Sequence, residues 1–433
     1  MEFLKRTPGG AGNRKTFTIS TWIKFCNLNL SSGSQNIIES RPGDYFIIAL
    51  TNINNATGGN TMRIEATSGM NLGIDRFFRD ASAWYHLVFA FDTTQATASN
   101  RVKFYVNGEQ AGLNSTYTTY PNQDQTFTWN NNVVQCVGGS NFSNSEGFDG
   151  YLADTYNIDG LQLTPSSFGE TDSTTGIWVP KTYSGAYGTN GFRFEYKNSA
   201  ALGTDTSGQG NNFTPQNMSA DNQVVDTPSN NFSIMNPVNI FPNSTPIITE
   251  GGLKTESQST SGAGLCSTLA VSNGKWYAEG KIGSGATLEV GAVDIGTNAF
   301  NKGGTSTNSV GYDYGGNIRV NNSNTQTSLS TYTGGDIIGI LLNMDTATGT
   351  VTFYKNGSAV GSAQNFTTSK PNAAAFYMQS HTSGGNQSVQ WNFGNPPFTI
   401  SSGNADGNGY GNFEYTVPSG YYALCTENLN TYG

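Results

Sequence analysis

Charge is scarce in this chain of 433 residues: Asp, Glu, Lys and Arg together make up 12% of it. The 21 basic residues form no run or stripe, and the formal net charge is -9. Nucleic-acid binding leans on clustered positive charge that neutralises phosphates, so no nucleic-acid partner is expected. Attraction to an anionic membrane surface fails on the same ground. Apolar runs are short as well, and none approaches the ~20 residues of a membrane helix, so no membrane partner is expected either. The start of the chain, residues 1–6, lacks the apolar stretch of a secretion signal. The expectation is a protein made in a cytoplasm that stays there or leaves by a route such as lysis. Histidine is nearly absent, with His86 and His381 alone. The four cysteines, Cys26, Cys136, Cys266 and Cys425, are far apart and form no CxxC pair. That spacing speaks against zinc and reads as buried, reduced thiols.

What the chain does have is aromatic side chains, 12% of it, set among Gly, Asn, Ser and Thr. Rings of that number allow a packed core, which a disordered polar tract does not have. The length suits two domains. One phrase occurs twice: Val102-Lys103-Phe104-Tyr105-Val106-Asn107-Gly108 and Val351-Thr352-Phe353-Tyr354-Lys355-Asn356-Gly357. Alternation puts Val and Phe on one strand face and Tyr on the other. Asn-Gly tolerates the positive φ angles of a type I′ turn, so each copy is half of a hairpin. Each follows an apolar strand ending in Asp, over residues 84–92 and 336–345. The first is apolar on both faces, and both belong in the middle of a sheet.

Further strands are expected at 16–25, 44–50, 61–66, 150–158 and 191–196. In the second half they fall at 275–282, 287–293, 309–313, 317–320, 374–378 and 389–394. Residues 163–169 read as one helical turn, with Thr164 as cap, Pro165 at the first position and Gly169 as stop. Short strands with turn residues between them predict an all-β chain: two antiparallel β-sandwich (jelly-roll) domains in tandem, with very little helix. The boundaries are expected at 1–215 and 247–433. Between them, 216–246 reads as an extended connector stiffened by Pro228, Pro237, Pro242 and Pro246, its aromatics Phe232 and Phe241 resting on a domain surface.

Two families are resembled. The first half resembles the laminin-G-like, concanavalin-A-like lectin/glucanase sandwich, through residues 17–23, 84–89, 102–108 and 148–154. The second half resembles an SPRY domain, through residues 275–279, 309–312, 335–342, 351–357 and 389–394. Residues 163–170, 176–181, 226–232 and 422–426 are together similar to a phrase series of bacteriophage structural proteins, components of tails, fibres and virions. The resemblance implies a non-enzymatic protein on the virion surface, in an appendage such as a tail fibre or spike or on the capsid exterior. It implies attachment to a host-surface glycan or to other virion proteins, and a homo-oligomer, with a trimer favoured. A capsid-decoration or tail structural role without host binding is the alternative, and a polysaccharide depolymerase a third. Related glucanases place their acids as Glu-x-Asp-x-x-Glu on one strand, because glycoside hydrolysis needs two carboxylates across the scissile bond. Here Glu170-Thr171-Asp172 matches in part, with Thr175 in the third place.

Carbohydrate recognition calls for aromatic platforms beside Asn, Asp and Gln, which nominates Tyr117, Tyr120 and Trp129. Calcium, which laminin-G-like domains often hold through Asp side chains and loop carbonyls, is the candidate cofactor; it nominates Asp92, Asp149 and Asp154. His86, inside an apolar strand, reads as a packed or hydrogen-bonded histidine.

Overall fold

A computed structural model describes residues 1–26, 28, 33–54, 59–240, 246–257, 264–283, 287–296, 308–321, 323–366, 370–381 and 387–433. The chain is nearly all sheet and divides into two compact units, Met1–Gln223 and Val224–Gly433.

In the first unit, two sheets face each other. One has eight strands in the order Leu113–Thr119, Asn71–Ile74, Gly59–Ala66, Phe46–Asn54, Ser34–Arg41, Val134–Val137, Phe3–Arg6, Thr214–Gln216. The other has six: Phe192–Phe194, Gly150–Asp159, Thr16–Phe25, Trp84–Asp92, Val102–Val106, Glu109–Gln110. Period-2 alternation explains the core between them. Phe17, Ile19, Ile23 and Phe25 bury one face of Thr16–Phe25, and Val102, Phe104 and Val106 bury the same face of the repeated phrase. Phe17 stacks on Phe91 at 4.5 Å and Phe89 on Phe104 at 4.5 Å.

The six-stranded sheet is apolar on its outer face too. Residues 161–187 cross that face as a strap, packing Leu163, Phe168, Tyr183 and Tyr187 against Val88, Ala90, Tyr105, Tyr156 and Ile158. This second covering is why 84–92 has apolar residues on both faces. Within the strap the expected helical turn is a short 3-10 helix, Pro165–Ser167. Thr164 precedes it, but its side chain bonds Ser166 Oγ at 3.0 Å instead of capping the backbone.

The second unit repeats the plan. A seven-stranded sheet runs Met235–Ile240, Gly264–Ser267, Ala374–Ser380, Leu288–Asp294, Ser309–Asp313, Ile318–Val320, Ser323–Gln326. It faces a sheet ordered Ile247–Thr249, Lys254–Ser257, Gln387–Asn392, Lys275–Ile282, Ile337–Asn343, Thr350–Lys355, Ser358–Asn365. Residues 404–425 form its strap, with Phe413, Val417 and Ala423 against Tyr277 and Leu341. The strap ends in Tyr422–Ala423, which runs parallel to Lys275–Ile282, and a short helix, Thr426–Tyr432, that sequence reasoning did not foresee.

The connector expected at 216–246 is corrected. Met235–Ile240 is an edge strand paired with Gly264–Ser267, and Phe232 is 2% exposed in the core beneath the second strap. Apolar side chains at alternate positions found a sheet edge to complete. Phe241 and Pro242 lie outside the described residues.

The repeated phrase makes the turn its sequence demands. Asn107 and Gly108 have φ of 50° and 86°, Asn356 and Gly357 of 49° and 78°. In each turn the Asn closes the end of the preceding strand. Asn107 Oδ1 accepts from the His86 N–H at 2.7 Å, and Asn356 Oδ1 from the Ile337 N–H at 2.8 Å. In each, a strap aromatic sits where a glycine Cβ would be: Trp178 over Gly108 and Tyr415 over Gly357.

Candidate functional site

The nominated residues do not converge. Trp129 is 0% exposed, within 6.3 Å of the Phe46 ring and 6.5 Å of Phe192, and donates its indole N–H to Asn157 Oδ1 at 3.0 Å. It presents no face to a sugar, and its role as a platform is withdrawn: a Trp among Asn and Thr reads as a loop residue, yet its ring fills the core. Tyr120 is half-buried after the edge strand. Tyr117 alone of the three lies on an accessible sheet face.

The calcium set also comes apart. Asp92 pairs with Thr16, at one end of Thr16–Phe25, while Gly150, beside Asp149, pairs with Phe25 at the other. Nine residues of extended strand separate those ends by roughly 30 Å. Asp92 is occupied by Thr16 Oγ1, the Thr94 N–H and hydroxyl, and Gln95 Nε2, which together hold its carboxyl below the ordinary range against some burial. Asp154 sits at a bulge with φ of 48° and pairs with Arg193 at 2.8 Å. Asp149 anchors a loop by its backbone, accepting from Cys26 N and donating to Gln35 Oε1. Among the described residues no group of three or more His, Cys, Asp or Glu side chains is placed to hold a metal.

The partial acid motif is split by its own turn. Glu170 is paired with Lys181 at 3.4 Å, and Asp172 accepts from the backbone of Thr174 and Thr175, which lowers its pKa. The four cysteines are buried, and burial pushes the Cys136 thiol up to about 12.

What remains is the outer face of the eight-stranded sheet. Its register builds two cross-strand rows in which polar side chains stand beside small or apolar ones. Glu39, Ile47, Glu65 and Asn71 stand opposite one another on successive strands, and Asn36, Ala49, Arg63 and Gly73 make the next row. A bulge between Asn36 and Ile38 brings Asn36 and Glu39, three residues apart, to the same face. At one end the Tyr117 ring covers Gly73 and lies 4.8 Å from the Arg63 guanidinium, which also pairs with Glu65 at 2.7 Å.

At the other end, residues 138–149 fold onto Ser34–Arg41. Glu39 is the buried hub. Its Oε1 accepts from Ser140 Oγ at 2.9 Å and its Oε2 from Asn36 Nδ2 at 2.6 Å. Ser140 Oγ in turn accepts from the Phe142 N–H, and Asn36 Nδ2 also reaches Glu146 Oε2 at 3.2 Å. Burial raises the Glu39 pKa, opposed by Ser140, Arg41 and Asn36. Arg41 lies between two rings, 5.6 Å from Tyr45 and 5.9 Å from Phe142, with Glu146 4.0 Å from its Nη2. Phe142 is 42% exposed. Sequence reading reached this loop through Asp149 but missed Arg41, Phe142 and Glu146. The available signal was an aromatic stranded in a loop of Gly, Ser and Asn.

Comparison with known proteins agrees with the two units. Residues 6–159 match the family model of the concanavalin A-like lectin/glucanases superfamily, and residues 275–396 match the SPRY domain. Among solved structures, the chain is similar to the SPRY domain of human HERC1, with 20% identity and a TM-score of 0.30 over 35% of this chain and 96% of that one. It is also similar to a native heptameric SAP-like pentraxin from Limulus polyphemus, with 14% identity and a TM-score of 0.31 over 42% of this chain and 86% of that one. The TRIM65 PSpry domain is a third, with 12% identity and a TM-score of 0.28 over 35% and 91%. None of the curated proteins matches.

Proposed function

We propose that this chain, a concanavalin A-like domain followed by an SPRY domain, is a binding protein without enzymatic activity that acts on the surface of a bacteriophage virion. Lectin-like and SPRY domains suit a carbohydrate- or protein-binding role. One observation supports carbohydrate for the first unit. Its six-stranded sheet is covered by a strap, whereas the outer face of its eight-stranded sheet offers half-exposed Arg, Glu, Asn and Tyr side chains. Saccharides are bound by such mixtures, because their hydroxyls need donors and acceptors and their C–H faces need rings. Tyr117 is four strands away from Ser34–Arg41, roughly 19 Å at the usual strand spacing, which suits an extended ligand.

The placement on a phage tail fibre or spike draws on the phrase series in residues 163–170, 176–181, 226–232 and 422–426. In that setting the chain assembles as a trimer against other virion proteins and docks to a host glycan. The test is binding of the purified chain to host cells, competed by free saccharide. Absence of binding at saturating protein would overturn attachment in favour of capsid decoration. A map of the intact particle would locate the chain, and sedimentation would check the trimer.

A further inference from the structure

Arg41 is a guanidinium in want of partners. None of its five N–H groups has a hydrogen-bond acceptor among the described residues, and its Nε is shielded from solvent. Its carboxylate neighbours are too far for a direct hydrogen bond, Glu39 at 3.9 Å from Nε and Glu146 at 4.0 Å from Nη2. The group has two ring neighbours, Tyr45 at 5.6 Å and Phe142 at 5.9 Å. Glu146 is tied to Asn36 by side chain and backbone. A donor thus faces an anchored acceptor across a gap that neither closes. Beside them stands an exposed apolar ring.

We infer that Arg41, Glu146 and Phe142 form a primary subsite for an uncharged sugar ring, bound through a pair of adjacent hydroxyl groups. The inference rests on the carbohydrate-binding reading of this face. One hydroxyl accepts from Arg41 Nη2–H and its neighbour donates to Glu146 Oε2, which a hydroxyl can do in either role. The C–H face of the ring lies on Phe142. Charge selects the ligand class. Arg41 is already attended by two glutamates, so an acidic sugar would bring a further negative charge to a site that has one cation. A cationic ligand would meet Arg41 itself. Glu39 is a positioning residue: it holds Ser140, which holds the Phe142 backbone, and Asn36, which holds Glu146.

The experiment is saturation-transfer NMR and calorimetry of the full chain with the methyl glycosides of mannose, glucose and galactose, and with glucuronate. At least one neutral glycoside is expected to bind, with glucuronate tenfold or more weaker. Phe142→Ala and Glu146→Ala should each weaken binding tenfold or more at an unchanged melting temperature. Glu39→Gln should weaken it less, and should alter the amide signals of residues 140–146 in the free protein, which a bystander would not. Neutral binding that survives Phe142→Ala and Glu146→Ala but is lost in Tyr117→Ala overturns the subsite and leaves the carbohydrate reading of the face standing. Tighter binding of glucuronate overturns the uncharged class. No binding of any of the four overturns the carbohydrate reading itself.

Discussion

Trp178 donates its indole N–H to Nδ1 of His86 across 3.0 Å. Indole nitrogen can only donate, so Nδ1 is unprotonated and the imidazole proton resides on Nε2. That proton points at Ser20 Oγ, 2.8 Å away. The polarity is the reverse of one in which a histidine takes a serine's proton. Trp22, stacked at 4.9 Å, closes the other side of the ring.

His86 should therefore stay neutral in the folded chain far below its ordinary range. Burial pushes its pKa down from 6.5 to about 3. The unfolded chain takes up the proton near 6.5 and the folded unit does not. This contribution to stability is thus complete above pH 6.5 and lost as pH falls toward 3. At pH 5 the loss is about 2 kcal/mol. Denaturant titrations at pH 7.5 and 5 measure it. With two histidines in the chain, the His86 ring is assignable by NMR and should show a single Nε2–H tautomer with no titration above pH 4.

Replacing Trp178 by Phe should keep most of the packing on Gly108 and remove the donor. A buried acceptor left without its partner costs about 1–3 kcal/mol. The expected outcome is that loss in the first unit, together with appearance of the Nδ1–H tautomer. A stability unchanged within a few tenths of a kcal/mol would show that the indole N–H is not engaged.

Gly108→Ala and Gly357→Ala should each destabilise by about 1–3 kcal/mol, through positive φ and through displacement of a ring. A Cβ would lie 3.0 Å from Trp178 in the first and 2.6 Å from Tyr415 in the second. Equilibrium unfolding of each variant checks the size. A neutral result at either would mean that its aromatic does not rest on the turn.

Trp129→Phe should cost about 1–3 kcal/mol, since it strands Asn157 Oδ1 inside the first unit. It should leave saccharide affinity as it was. A changed affinity at unchanged stability would return Trp129 to the binding surface.

Much of the fold could be read from the sequence because its signals are local. Thr16–Phe25 and Trp84–Asp92 announce themselves by alternation and by apolar content on both faces, and Asn-Gly fixes two hairpins. The straps were less legible. Residues 161–187 are short of regular structure, so only contact with Val88, Ala90 and Tyr156 gives them a place. The site was legible only in part. Asp149, nominated for calcium, lies at the end of the same loop, but the meeting of Arg41 with Phe142 and Glu146 depends on a bulge and on a buried glutamate, and neither has a sequence signature. Trp129 misled because composition near a residue does not state which way its ring turns.

The order of sheet and strap along the chain carries a cost during synthesis. Five of the six strands of the covered sheet in the first unit, the last ending at Asp159, are translated before Phe168, Trp178 and Tyr187 exist to cover it. At ordinary elongation rates that interval lasts on the order of seconds. Through it the nascent chain exposes Val88, Ala90, Tyr105, Tyr156 and Ile158 to any neighbouring polypeptide. Ribosome stalling between Asp159 and Tyr187 would prolong that exposure.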